Sequence, residues 1–290
     1  MNTQTFLLDK LTIVIPSYNR HLFLKRSLSF WSKYNVKVVV MDGSENSLDK
    51  TFLNKLGTNI KYIHSHDGFY KRLLNATEFV STEYVMLGCD DEFYIPSTLN
   101  SCISKLNSNL ELASCMGLAV GFIHKDNEIL GFEIYPNLKK NYFNNERPAE
   151  RVKKHLSNYC IAHTFAVCRS TIWLASAKQI FSKEYSLYGV WELQFEFLLP
   201  FSNKSLIIPE LMWMRSFENI GIRGTSPSMT KSVNLKEWWN KKKYQVEKRN
   251  FIKRMYKTCN SLNLITKNNN LIDINDVFKF IFKNKQNKKN

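Results

Sequence analysis

No uninterrupted apolar stretch of about 18 residues occurs anywhere in this 290-residue chain, so a transmembrane helix is not expected. The opening residues, MNTQTFLLDKLTIVIP, lack a basic stretch, a long apolar stretch and a small-residue cleavage site in that order, and no secretory leader is expected. CxxC pairs are missing too. Cys89, Cys102, Cys115, Cys160, Cys168 and Cys259 lie apart, mostly in apolar surroundings, and read as reduced buried thiols rather than a disulfide frame or a zinc centre. There is no internal repeat, and only the Asn/Lys-rich last residues approach low complexity.

What is present describes a globular protein. Hydrophobic residues make up 44% and charged residues 23%, enough for a sizeable core and against disorder as the dominant state. The length sits at the upper edge of one domain, with two tightly packed subdomains as the other possibility. The net charge of +16 is unevenly placed: residues 231–290 carry +12, and the body carries +4. Whatever the charge does, it does at one end.

Leu11–Pro16 reads as a buried strand stopped by proline, and 21–33 as an amphipathic helix. Strand patterns recur at 36–41, 60–64 and 83–87, with helical patterns at 48–56, 70–79 and 96–106. That alternation predicts an α/β fold, a mostly parallel sheet flanked by helices. Further on, 113–124 and 128–136 predict a hairpin. Residues 139–157 read as a polar loop leading into a helix, and 159–168 and 206–215 as strands. Helices are expected at 170–181 and at 190–199, the latter stopped by Pro200, with a turn-rich loop at 219–229 and a basic, mainly helical extension over 231–290. The chain thus divides into 1–110, 111–230 and 231–290.

Open parallel sheets bind ligands outside the carboxyl ends of their strands. Here those ends carry Pro16-Ser17-Tyr18-Asn19-Arg20, Asp42-Gly43-Ser44, His64/His66/Asp67 and Asp90-Asp91-Glu92. The set offers acceptors for a ribose or base, a basic group, and an acidic cluster suited to a hard divalent ion. Four segments in register, TIVIPSYNR (12–20), VVVMDGS (38–44), Lys71-Arg72 and VMLGCDDE (85–92), resemble the nucleotide-sugar half of family 2 GT-A glycosyltransferases over residues 10–100.

That resemblance implies a GT-A fold and transfer of a sugar from a nucleotide-diphosphate donor to a glycan or lipid-linked acceptor. It also implies inversion, and a role in bacterial surface polysaccharide (capsule or lipopolysaccharide) synthesis at the cytoplasmic face of the membrane. It assigns Pro16, Ser17, Tyr18, Arg20, Asp42, Asp67, Arg72 and Asp90 to the nucleotide. Asp90, Asp91 and Glu92 would hold Mn²⁺ or Mg²⁺. The family pattern is Asp-x-Asp or Asp-x-Asp-Asp, and this chain has Gly88 where the longer form begins. The bland readings are a capped turn for the carboxylates, a backbone acceptor for Asp42 and an ordinary helix residue for Arg72.

An inverting transfer needs a base near the acceptor hydroxyl. Glu192 follows a glycine turn at a helix start and is the candidate, with Glu196 behind it and Tyr188 or Trp191 to stack on an acceptor sugar. Glu192 is equally explained by the helix dipole. His64 and His66 have zinc-like spacing without a third ligand, and His163 reads as a core histidine. The basic 231–290 region, with Trp238 and Trp239 among its lysines, reads either as a packed helical extension or as an attachment to an anionic membrane surface. Nucleic-acid binding through that region is the competing function, but the body offers no such motif. A nucleotidyltransferase would show a glycine-rich phosphate loop where PSYNR stands.

Overall fold

The computed structural model describes residues 7–140, 144–157, 163–218, 233–267 and 271–287. Leu11–Ser17 (β1), Lys37–Asp42 (β2), Ile60–His64 (β3) and Tyr84–Leu87 (β4) run parallel in the order β3-β2-β1-β4. Their apolar, β-branched sequences suit strands covered on both faces. His21–Trp31 (α1), Lys50–Leu53 (α2) and Phe69–Ala76 (α3) make the crossovers. The helix expected over 48–56 is a single turn, capped by Asp49, whose carboxylate accepts from Phe52 N at 2.7 Å.

After β4 the chain adds a short strand not foreseen in the sequence, Phe93–Tyr94 (β5), then Pro96–Ser108 (α4) and the hairpin Leu112–Lys125 (β6) and Glu128–Glu133 (β7). Pro148–Ser157 (α5), Val167–Arg169 (β8), Ser170–Phe181 (α6), Val190–Ser202 (α7) and Lys204–Ser216 (β9) follow. One sheet in the order β3-β2-β1-β4-β8-β6-β9-β5 joins them, with β7 on β6. So the halves drawn at 1–110 and 111–230 share a single sheet.

Two expectations change. Of the strand expected over 159–168, 159–162 lie outside the described residues, His163–Phe165 form a 3₁₀ turn, and only β8 is extended. Pro200 does not stop its helix: it lies inside the last turn of α7. Arg151 of α5 supplies donors to that end, Nε to Pro200 O at 2.7 Å and Nη2 to Phe201 O at 3.1 Å. A buried guanidinium thus satisfies carbonyls that the helix end leaves open.

The C-terminal region is helical: Leu235–Asn240 (α8), Gln245–Thr266 (α9) and Ile274–Asn287 (α10). Trp238 and Trp239 are buried. Trp238 meets Phe251 edge-on at 5.4 Å, and Trp239 stacks on Phe278 at 4.7 Å, which in turn stacks on Phe197 of α7 at 6.1 Å. Membrane anchoring through these tryptophans is therefore corrected, because their rings are already in the core. Among the described residues no helix is long and apolar enough to cross a membrane.

Candidate active site

The four parallel strands deliver Ser17, Asp42, His64 and the Gly88–Glu92 loop to one edge of the sheet. Gly88 follows from packing: a Cβ there would stand 2.9 Å from Ile13 Cγ2. The departure from the family pattern is thus built into the core beneath the site.

Asp90 and Asp91 are buried and share one cation. Arg20 Nη1 lies 3.1 Å from Asp90 Oδ1, Arg20 Nη2 bonds Asp91 Oδ2, and Ser17 Oγ donates to Asp90 Oδ2 at 2.7 Å. Burial pushes the Asp90 carboxyl up to about 7, Arg20 opposes this, and Asp91 adds to it. Burial works against the Arg20 charge, but the two carboxylates outweigh it and raise its pKa. A pocket that already draws in a guanidinium fits a positive ion, so Asp90 and Asp91 fit a divalent metal.

Glu92 does not belong to that pair. Its Oε2 accepts from Trp213 Nε1 at 2.6 Å and Tyr94 Oη at 3.3 Å, and Arg215 Nε stands 3.8 Å from Oε1. Burial, then Asp91, push its carboxyl up to about 7. Among the described residues no three His, Cys, Asp or Glu side chains converge on a metal position. Of the three carboxylates expected to act together, Asp90 and Asp91 share Arg20, and Glu92 is held by Trp213 and Tyr94 instead.

Asp42 is fully buried. It accepts from Ser44 N at 2.9 Å, Ser44 Oγ and Tyr62 Oη at 2.6 Å, with His21 Nε2 at 3.2 Å. Its turn-acceptor part is thus visible, and Ser44, Tyr62 and His21 surround it. Asn19, with φ 52°, donates its N–H to Ser44 Oγ at 2.8 Å, fastening the β1 loop to the β2 loop beside Pro16 and Tyr18.

Arg72 is a strut. Its Nε donates to Asp67 O at 3.1 Å, and its Nη1 to Ser17 O at 2.7 Å and Met41 O at 2.5 Å. Gly43 makes room for it, since a Cβ there would lie 2.4 Å from Arg72 Cζ. The structure replaces the expected diphosphate contact at these nitrogens with carbonyls, and burial lowers the Arg72 pKa. Asp67 pairs with Lys71 at 2.9 Å on the same edge.

The second half closes over this edge at the start of α7. Tyr70 Oη donates to Tyr188 O at 3.2 Å, and Phe69 lies 5.6 Å from the Tyr188 ring and 5.4 Å from Trp191. Burial, then the neighbouring Glu192, raise the Tyr188 hydroxyl pKa, and Arg72 opposes them. Glu192 is half-buried, and burial, then Glu196, raise its carboxyl to about 7. A carboxyl there titrates where a general base is useful. Trp191 is buried between Phe69 and Phe181, so it packs rather than presenting a face to an acceptor.

Glu196 is not a second base facing a cleft. It is fully buried, with His155 Nε2 at 2.5 Å and Thr164 N and Oγ1 donating at 2.7 and 2.6 Å. Burial opposes its charge, yet His155, His163 and Thr164 hold its carboxyl below the ordinary value. His163 is buried, as a core histidine should be. His64 Nε2 lies 2.8 Å from Ser44 O, a loop contact rather than a zinc ligand.

Sequence reasoning missed Arg26, Glu218, Trp213 and Arg215. Arg26 Nη2 donates to Asp91 O at 3.1 Å and to Glu218 Oε2 at 2.7 Å, binding the end of β9 to the acidic loop. Nothing local marks such residues, because their partners lie far along the chain. His21 had a readable signal, as the first helical residue after the β1 loop.

The layout of parallel strands, strand-end loops and an acidic turn after the fourth strand is that of a GT-A fold. The family model described as "Glycosyl transferase family 2" matches residues 12–173, more than half of the sequence. The chain belongs to glycosyl transferase family 2. A comparison with curated proteins gives no match. A crystal structure of S. aureus TarS 1-349 in complex with UDP-GlcNAc is similar in fold, with TM-score 0.53 and 12% identity, over 93% of this chain and 70% of that one. The same TarS segment in complex with UDP gives TM-score 0.51 and 15% identity, over 71% of this chain and 60% of that one. This chain spans 36% of the longer TarS structure. At these identities the likeness is one of fold.

Proposed function

We propose that the protein is an inverting glycosyltransferase that moves a sugar from a nucleoside-diphosphate donor to a glycan or lipid-linked acceptor in bacterial surface polysaccharide synthesis. The observation that carries this is the set of polar groups at one sheet edge, with Ser17 and Arg20 on the Asp90–Asp91 pair after β4, and the start of α7 with Glu192 packed against α3 through Phe69 and Tyr70. One side suits a leaving diphosphate, and the other suits deprotonation of an attacking hydroxyl. The likeness to TarS bound to UDP-GlcNAc makes that nucleotide sugar the first donor to try.

In this reading Ser17, Tyr18, Arg20 and the Asp42 cluster with His21 contact the nucleotide, while Asp67 and Arg72 hold the loops in place. Asp90 and Asp91 would hold a divalent ion, Mn²⁺ or Mg²⁺, which would supply positive charge beside the leaving diphosphate. Glu192 takes the acceptor proton and Tyr188 lines the acceptor side. Exposed basic residues of 231–290, Lys241, Lys242, Lys243 and Arg249 among them, attract the protein to anionic lipid at the cytoplasmic face of the membrane.

The deciding experiment is a titration with UDP and other nucleoside diphosphates, with and without Mn²⁺, followed by donor hydrolysis and transfer assays. Metal-dependent diphosphate binding supports the reading. Tight, salt-sensitive oligonucleotide binding without it would replace glycosyl transfer with a nucleic-acid function.

A further inference from the structure

The β6–β7 hairpin walls a groove of about 460 Å³ whose apolar lining includes Leu118, Val120, Phe132, Ile134, Pro136 and Leu211. Its polar side chains are few: Glu133, Tyr135 and Lys139. Exposed apolar residues gather on the same hairpin, with Ile129 at 66% and Leu130 at 55% exposure. Single exposed apolar residues are ordinary, but a contiguous patch marks a contact surface.

Tyr135 connects this groove by side-chain contacts to the acidic loop. Tyr135 lines the groove and stacks on Trp213 at 5.8 Å, and Trp213 donates to Glu92, next to Asp91. Arg215 lies at that junction, over the rings of Trp213 at 5.5 Å, Tyr135 at 5.7 Å and Phe217 at 5.8 Å. Among the described residues its one carboxylate neighbour is Glu92, at a loose 3.8 Å. By contact, then, Tyr135 joins the apolar trough to Arg215, and Arg215 stands next to Glu92 of the acidic loop.

We propose that this groove takes the hydrocarbon chain of a lipid-linked acceptor, with Arg215 meeting the phosphate that joins lipid to glycan. The proposal rests on the glycosyl-transfer reading above and narrows its acceptor to a lipid phosphate. A glycan alone would need polar side chains along the walls to match its hydroxyls, and the groove offers only three. A guanidinium backed by aromatic rings is suited to a phosphate, and its position matches the order lipid, phosphate, sugar running toward the donor site. A second copy of this chain is the competing occupant.

The test uses the full chain with farnesyl phosphate below its micelle concentration, beside farnesol and inorganic phosphate. Binding is read by calorimetry and by tryptophan fluorescence. Farnesyl phosphate should bind saturably, and at least tenfold more tightly than either fragment. Leu211→Glu and, separately, Phe132→Ser should each weaken it about tenfold, while Arg215→Gln should erase the advantage over farnesol. Thermal melts identify any variant that fails to fold, and the other groove variant then decides. Equal binding of farnesyl phosphate and inorganic phosphate would overturn the proposal. So would a wild-type dimer that Leu211→Glu splits and that binds no prenyl phosphate. UDP titration of the wild-type chain reports on the donor reading separately: UDP binding with no prenyl phosphate binding sinks only the groove.

Discussion

Arg20 spans two neighbouring carboxylates, with Nη1 3.1 Å from Asp90 Oδ1 and Nη2 on Asp91 Oδ2. Without it, two buried like charges would face each other. Arg20→Gln should therefore destabilise the protein by about 1–3 kcal/mol, a value tempered by the partial exposure of Arg20. The loss should be larger at pH 8 than at pH 5, since the buried Asp90 carboxyl is ionised only above about 7. Urea melts at the two pH values measure this.

Asp90→Asn and Asp91→Asn should each lower turnover by about 10²-fold or more, the scale expected for losing preorganised charge stabilisation. Folding should change little, and Glu92→Gln should cost less than either. Steady-state transfer assays beside thermal melts check the ranking. Near-normal turnover in both asparagine variants would remove the acidic pair from the mechanism.

Glu192→Gln should reduce transfer by about 10²–10⁴-fold while donor-nucleotide affinity stays near normal. A base must be deprotonated, so the wild-type rate should rise with pH through about 7, where burial and Glu196 place Glu192. The stability sign runs the other way. The folded state holds the Glu192 proton above its unfolded pKa, so this residue costs stability as pH rises toward 7. Glu192→Gln should then raise the melting temperature at pH 8 and not at pH 4. Glu196→Gln is expected to behave differently, lowering stability above the ordinary glutamate range because His155 and Thr164 hold its carboxylate in the fold.

Gly88→Asp restores the longer family pattern and should fail as an improvement. Its Cβ would crowd Ile13 Cγ2, and overpacking of this kind costs about 1–3 kcal/mol. Calorimetric melting measures the loss, and an unchanged melting temperature would refute the packing account.

Replacing Lys241, Lys242, Lys243 and Arg249 by Gln should release the protein from anionic vesicles while sparing activity on a soluble acceptor. Added salt should do the same, as the screening length falls below about 8 Å. Trp238→Ala should instead lower stability by about 3–5 kcal/mol, as expected for a buried aromatic ring. Co-sedimentation across a salt series separates the two effects.

The parallel half of the fold was legible because each strand is a short apolar run with turn chemistry at its end, and TIVIPSYNR and VMLGCDDE fall on the functional edge. Asp90, Asp91 and Glu192 could be picked out as candidates because carboxylates at strand ends and helix starts are local features. Arg72 and Trp191 misled for one shared reason: a side chain at an element's start can turn inward as readily as outward, and only tertiary partners decide. Arg72 found three carbonyls and Trp191 found Phe69 and Phe181. Glu92 was grouped with its neighbours by adjacency alone, whereas its place is fixed by Trp213 far along the chain.

Helix α7 carries Glu192 at its first turn, and its flank rests on the C-terminal helices: Gln194 Nε2 donates to Met255 Sδ at 3.5 Å, and Phe197 stacks on Phe278. The last part of the chain is thus a buttress for the helix that carries Glu192, the proposed proton acceptor. Shortening the protein after β9 would leave the nucleotide edge standing but slacken the beam that aims Glu192. Such a truncated chain should still grip nucleotide while transferring sugar poorly.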